Sequence, residues 1–209
     1  MADLTCAPGI HMARVGPDIV LLDTAADRYS ALPDLGEEID PAPDGSVQAS
    51  SAIAEALIAL GLAVPGRPTP PRRAARPPRR ELVPEPSREP TAIVRAAAIL
   101  VASGLRFRRS TLPTLLGPVA HGIPTEAGER LEPLVAAARA AWPWIPLEGE
   151  CLQRSFQLRS LLARHGWPVD WVFGVRTWPF AAHCWIQLED RVLNDSLDRV
   201  LRYTPILTV

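Results

Sequence analysis

Cys151, His183 and Asp195 fall in one C-terminal block, in an order that suits a thiol nucleophile, its base and a group that orients the base. Cys151 stands near the front of EGECLQRSFQLRSLLARHGW. There Leu152, Phe156, Leu158, Leu161 and Leu162 recur at helical spacing, and Gly166 reads as the stop. That puts the thiol in the first turn of a helix, where unpaired N–H groups and the positive end of the macrodipole favour the thiolate. The chemistry this allows is acyl transfer or peptide-bond hydrolysis.

The base and its partner must come from strands. WPVDWVFGVRTWPFAAHCWIQLEDRVLNDSLDRVLRY is rich in Val, Trp and Phe and is broken by Gly174, Pro179 and Glu189-Asp190, which predicts antiparallel strands. His183 then lies on the second strand and Asp195 at the end of the third, with the pairing of HCWIQLE and RVLND bringing Asp195 to the imidazole. Alternation places His183, Trp185 and Gln187 on one face and Cys184 and Ile186 on the other, so Cys184 is expected to be inert.

The stretch from Cys151 to Asp195 resembles the lasso-peptide B proteins, leader peptidases with a transglutaminase-like catalytic domain. The resemblance is carried by a Cys-Leu-x-Arg helix start, a Gly-Val-Arg strand end, a Pro-Phe-x-Ala-His approach to the His, and Asn-Asp after the next strand. It reaches upstream through AAARAAWPWIP and more loosely to about residue 91. It implies that Cys151, His183 and Asp195 are the catalytic triad. It implies as partners a lasso precursor peptide and a separate asparagine-synthetase-like macrocyclase. No cofactor of the chain's own is expected: G-x-x-x-x-G-K-[ST] is missing, and any ATP requirement would arise through the cyclase. Cys184 departs from the small residue expected after the His.

Length and composition suit two small domains. Of 209 residues 23 are Pro, and all 22 basic residues are Arg. Residues 1–66 hold 2 Arg and 10 acidic residues, 67–109 hold 11 Arg and 3 Glu, and 110–209 hold 9 Arg and 10 acidic residues. The division expected is a recognition domain at 1–66, a Pro/Arg-rich linker at 67–90 and a cysteine peptidase domain at 91–209. The linker, with many prolines and little apolar content, reads as a solvated semi-extended spacer. Without interleaved aromatics it is not expected to bind nucleic acid. No apolar run of 18 residues and no signal-peptide pattern is visible, and three Cys at unrelated spacings suggest no disulfide framework. The expectation is a cytoplasmic bacterial protein with no membrane partner.

In the first segment GIHMARVG, the run Ile19 to Leu22 and Arg28 to Leu32 read as three strands, and VQASSAIAEALIALGLAV as a helix ending at Gly61. Three strands followed by helices predict a winged-helix-like module. LLDTAADRYSAL is similar to leader-recognition domains that resemble the pyrroloquinoline-quinone biosynthesis chaperone. That resemblance implies that a leader adds as a strand along Arg28 to Leu32, with Tyr29 and Leu32 near the groove and Leu57 or Ile58 on the helix. TAIVRAAAILVASGL and LEPLVAAARAA read as packing helices, the former too short to cross a bilayer, and Trp142 to Pro146 as an extended approach to Cys151.

The fold class expected is α+β: a small winged-helix-like recognition domain, then a papain/transglutaminase-like domain with helices on an antiparallel sheet. Two other functional classes fit the same residues: a thiol acyltransferase of the transglutaminase or arylamine N-acetyltransferase type, and a non-catalytic precursor-binding scaffold. No metal site is expected, because no paired Cys or His spacing is present and adjacent strand residues face apart.

Overall fold

Apolar runs bounded by glycine and aspartate fold the N-terminal third into strands. The computed structural model describes residues 2–68, 73–118, 130–145 and 151–209. In this third lie β1 (Ala2–Cys6), β2 (Ile10–Val15), β3 (Asp18–Asp23), β4 (Arg28–Leu32), β5 (Ile39–Pro41), β6 (Ser46–Ala49), the helix α1 (Ser51–Ala59) and β7 (Ala63–Pro65). The strands form two sheets, ordered β5-β6-β1-β7 and β2-β3-β4. β3 is central in the second, which explains why DIVLLD is a continuous apolar run rather than an alternating one. Leu4, Ile19, Leu21, Ile39, Val47 and Leu57 meet in one core cluster.

The rest of the chain supplies β8 (Arg80–Glu81), α2 (Pro90–Arg108), α3 (Leu112–Leu116), α4 (Leu131–Ala141), a 3-10 turn at Trp142–Trp144, α5 (Cys151–Arg164), β9 (Asp170–Arg176), β10 (Ala181–Leu188), β11 (Arg191–Val192), α6 (Leu197–Val200) and β12 (Thr204–Thr208). Five strands form a sheet in the order β12-β9-β10-β11-β8. Close packing groups residues 1–74 with 173–182 and 202–209 as one unit, and 75–172 with 183–201 as the other.

α5 is anchored through its side chains to α2, α3 and β9. Phe156 lies 5.9 Å from the Phe107 ring of α2 and 5.8 Å from the Trp171 ring of β9, both tilted as aromatic quadrupoles prefer. Burying a side chain of that size contributes about 1.5–3 kcal/mol. Gln157 Nε2 donates to Leu100 O at 2.9 Å, and Arg159 Nη1 donates to Leu115 O at 3.1 Å, so α2 and α3 are fixed to the same helix. α5 ends as its sequence requires: Gly166 takes φ 79°, with Gly166 N donating to Ala163 O and Trp167 N to Leu162 O.

The helix-plus-antiparallel-sheet class holds, and four details differ from expectation. Residues 2–65 carry seven strands and one helix rather than the winged-helix-like three strands followed by helices, because the Pro-rich PDLGEEIDPAPDGS forms β5 and turns instead of helix. α2 runs to Arg108, three residues beyond the expected stop. At 19 residues it is long and apolar enough to cross a bilayer by length and composition. Its Ala96, Leu100, Ser103 and Gly104 are nonetheless buried, and it packs on α4 and α5. Trp142 to Trp144 form a 3-10 turn rather than an extended approach, Trp144 being exposed, and Pro146 lies outside the described residues.

The fourth difference concerns the linker. Over residues 76–82 the Pro/Arg-rich stretch is docked rather than solvated. Gln187 Nε2 donates to Arg76 O at 2.6 Å, β8 pairs parallel with β11, Leu82 N donates to Val192 O at 2.8 Å, and the Leu82 side chain is 1% exposed. Arg80 meets Asp190 at 2.6 Å. Local composition predicted a spacer because the acceptors that hold it, on β11 and its turn, lie more than a hundred residues away. Leu82→Ala is expected to lower the unfolding free energy in urea by about 2–5 kcal/mol, whereas Val83→Ala, at a site 73% exposed, costs under about 0.5 kcal/mol. Equal, negligible costs would mean that the segment is a free spacer.

Candidate active site

The second unit brings the three chemically informative residues together from a helix start, a strand and a post-strand loop. Cys151 is the first described residue of α5. His183 is the third residue of β10 and is buried, its ring stacked on that of Trp185 at 6.3 Å. Asp195 follows β11, and its Oδ2 lies 2.5 Å from His183 Nε2. With Nε2 committed to the carboxylate, Nδ1 is the ring atom left for Cys151. Asp195 is itself steadied by Ser196 N, which donates to Oδ1 at 2.8 Å, and by Arg199 Nη1 at 3.9 Å.

The electrostatics follow from this placement. The Cys151 thiol is drawn down to about 4: a hydrogen bond from Cys184 is the largest cause, burial opposes it, and hydrogen bonding with His183 and the imidazolium charge add to it. His183 is raised to about 9, although burial, the strongest single influence, acts against the cation; hydrogen bonds with Asp195 and then Cys151 overcome it. Asp195 is lowered: burial again opposes, and the hydrogen bond with His183 leads the causes that prevail. Cys184 moves the other way, well above an ordinary thiol, through its hydrogen bond with Cys151 and its burial. These shifts favour a thiolate on Cys151, an imidazolium and a carboxylate, with the Cys184 thiol protonated.

Cys184 is the residue that sequence reasoning missed. Alternation along β10 does separate it from His183, but the start of α5 meets the strand so that the Cys151 sulfur is hydrogen-bonded to both neighbours. Strand parity therefore does not isolate it from the site: its thiol lowers Cys151 and is itself held protonated. Nothing local in HCW signals that contact, which depends on how the helix crosses the sheet. Among the described residues no group of three or more His, Cys, Asp or Glu is disposed to hold a metal ion.

Residues 98–208 match the transglutaminase-like superfamily (Transglut_core3), a span of more than half of the chain. The chain belongs to the transglutaminase-like superfamily. Members of that superfamily are typically Cys-His-Asp thiol enzymes, of cysteine-protease or acyltransferase type. No curated protein and no solved structure matches the chain.

The residues expected to bind a leader lie in the first unit. β4 is an outer strand of its sheet, with Arg28, Ser30 and Ala31 exposed. The Tyr29 ring lies 5.7 Å from that of Phe180, an aromatic residue not foreseen there, and Leu32 packs on the core cluster. α1 packs against β1, β6 and β7. Leu57, 2% exposed, is therefore core and offers nothing to a docked peptide, while Ile58 is 40% exposed.

Alkylation by iodoacetamide, resolved by peptide mass, is expected to modify Cys151 with a midpoint near pH 4 and to spare buried Cys6 and Cys184 in the folded chain. His183→Ala removes the stabilising cation and is expected to lift that midpoint toward the ordinary thiol value of about 8.5. An unshifted midpoint in His183→Ala would contradict the ion pair.

Proposed function

We propose that the chain is a cysteine peptidase that removes the leader from a ribosomally made lasso precursor, with Cys151 as nucleophile, His183 as acid and base, and Asp195 as the group that orients His183. The observation that carries the chemistry is the hydrogen bond from His183 Nε2 to Asp195 on a ring that also serves Cys151. The choice of a leader peptide as substrate rests on the sequence resemblance, and the outer position of β4 in its sheet supports it. An extended segment could add there as a strand, with Tyr29 and Phe180 contributing an aromatic surface.

In the proposed reaction the Cys151 thiolate attacks the carbonyl carbon before the core peptide. The Cys151 N–H is the donor proposed for the oxyanion. The tetrahedral species collapses as imidazolium gives its proton to the leaving nitrogen, which departs as the new amino terminus of the core. The leader acyl group remains on Cys151 as a thioester. Neutral His183 then takes a proton from water, whose oxygen attacks the thioester; collapse restores the thiolate beside imidazolium and releases the leader carboxylic acid, which gives its proton to solvent and leaves as carboxylate. The free amino terminus is the group that an ATP-using macrocyclase of the asparagine-synthetase type would join. ATP belongs to that partner, and the setting is the bacterial cytoplasm.

The test is mass analysis of a lasso precursor incubated with the partner cyclase, ATP and either wild-type protein or Cys151→Ala. Leader loss is expected with wild type and to fall by about a thousandfold or more in the variant. Equal processing by both would instead support a precursor-binding scaffold, and transfer of the leader acyl group to an added amine in preference to water would support an acyltransferase. Because Cys151 must be deprotonated and His183 protonated, kcat/KM is expected to be bell-shaped, rising through about 4 and falling through about 9. Tyr29→Ala is expected to raise KM by about tenfold with kcat retained, and unchanged KM would remove β4 from recognition.

A further inference from the structure

Asp195 can reach His183 only because β11 stops pairing with β10 at the right residue. The two strands pair with Gln187 opposite Val192 and Leu188 opposite Arg191, and Leu193 N donates to Ile186 O at 2.9 Å. In a regular antiparallel ladder the return bond of that pair runs from Ile186 N to Leu193 O. Here Ile186 N donates instead to Asn194 Oδ1 at 2.7 Å, and Leu193 O accepts from Arg139 Nη2 at 3.2 Å. A side-chain amide stands in the place of a backbone carbonyl.

Parity shows what this does. Continuing the register would set Asn194 opposite Trp185 and Asp195 opposite Cys184, and residues opposite one another in a ladder share a face. Asp195 would then point away from His183. In the structure the two residues have exchanged faces. Asn194 Nδ2 donates to Ser155 Oγ at 2.9 Å, Ser155 Oγ donates to Cys184 O at 3.2 Å, and Asp195 meets His183. The polarity of the chain is fixed: Ser155 uses its single proton on a carbonyl and can only accept from Asn194, whose oxygen must then face the Ile186 N–H.

We propose that Asn194 is a positioning residue: its amide ends the β10–β11 ladder, turns Asp195 onto His183 and, through Ser155, ties that turn to the helix that carries Cys151. The inference rests on the reading of Cys151, His183 and Asp195 as the reacting triad.

The experiment is pH-dependent iodoacetamide modification of Cys151 in the full chain for wild type, Asn194→Ala, Asp195→Ala and the double variant. Losing the carboxylate weakens the imidazolium and hence the thiolate, so Asn194→Ala is expected to raise the midpoint by about one to three pH units, to that of Asp195→Ala. The double variant is expected to go no higher, because Asn194 acts through Asp195. Asn194→Asp, which keeps an oxygen for Ile186 N but loses the donor to Ser155 Oγ, is expected to fall between wild type and Asn194→Ala. An unchanged midpoint in Asn194→Ala, or shifts that add in the double variant, would overturn the proposal. Asn194→Leu, closer in volume, replaces the alanine variant if that does not fold; failure of both to fold would make Asn194 a stability residue and equally overturn it. A wild-type midpoint in the ordinary thiol range would overturn the triad reading instead, so the two failures are told apart.

Discussion

Moving a proton from the Cys151 sulfur to the His183 ring creates two charges, one on a half-buried thiol and one on a buried ring, and unpaired charge there is costly. Each neighbouring group answers part of that cost. Hydrogen bonding from Cys184 and His183 favours the charged sulfur. Asp195 faces the ring and is held in turn by Ser196 N and Arg199. Burial opposes ionisation of all three groups, and hydrogen bonding overcomes it in each case. The network works as a unit, because removing any one member leaves another charge without its partner.

Such a network needs elements that do not move relative to one another. α5 is pinned by the Phe156 aromatic cluster and by hydrogen bonds to carbonyls of α2 and α3, so the position of Cys151 is set by packing many residues further along the helix. β10 is held on its Gln187 side by Trp185 Nε1, which donates to Gln187 Oε1 at 3.1 Å, and by the docked segment at Arg76. The Pro/Arg-rich stretch thereby becomes part of the scaffold: Glu81 Oε2 accepts from Leu197 N, just beyond Asp195. Two of its arginines, Arg76 and Arg80, serve intramolecular pairs with Glu189 and Asp190.

What could be read from residues alone was whatever local spacing encodes. The expected helix LEPLVAAARAA is α4, α5 stops at Gly166, and the three expected N-terminal strands are β2, β3 and β4. His183 on a strand and Asp195 after the next one were equally legible, because apolar runs broken by Gly, Pro and paired acids mark strands and turns. The remainder depends on partners distant in sequence. β1, β5, β6 and β7 are short, and their apolar alternation becomes decisive only when they pair. β8 is Arg-Glu between prolines, which no propensity favours as strand, and it forms because β11 offers it a ladder. The approach of Cys184 to Cys151 and the exchange of faces at Asn194 come from how a helix crosses a sheet and where a ladder ends, neither of which is a property of spacing.

A thioester on Cys151 is the one species that every step of the proposed reaction passes through, so the most direct measurement is the intact mass of the protein quenched in acid during turnover of a lasso precursor. The account predicts an added mass equal to the leader acyl fragment, mapped to Cys151, removed by hydroxylamine and missing in Cys151→Ala. A folded wild-type protein that processes the precursor with no such adduct in slow-deacylating conditions, or that carries the adduct on another residue, would contradict it.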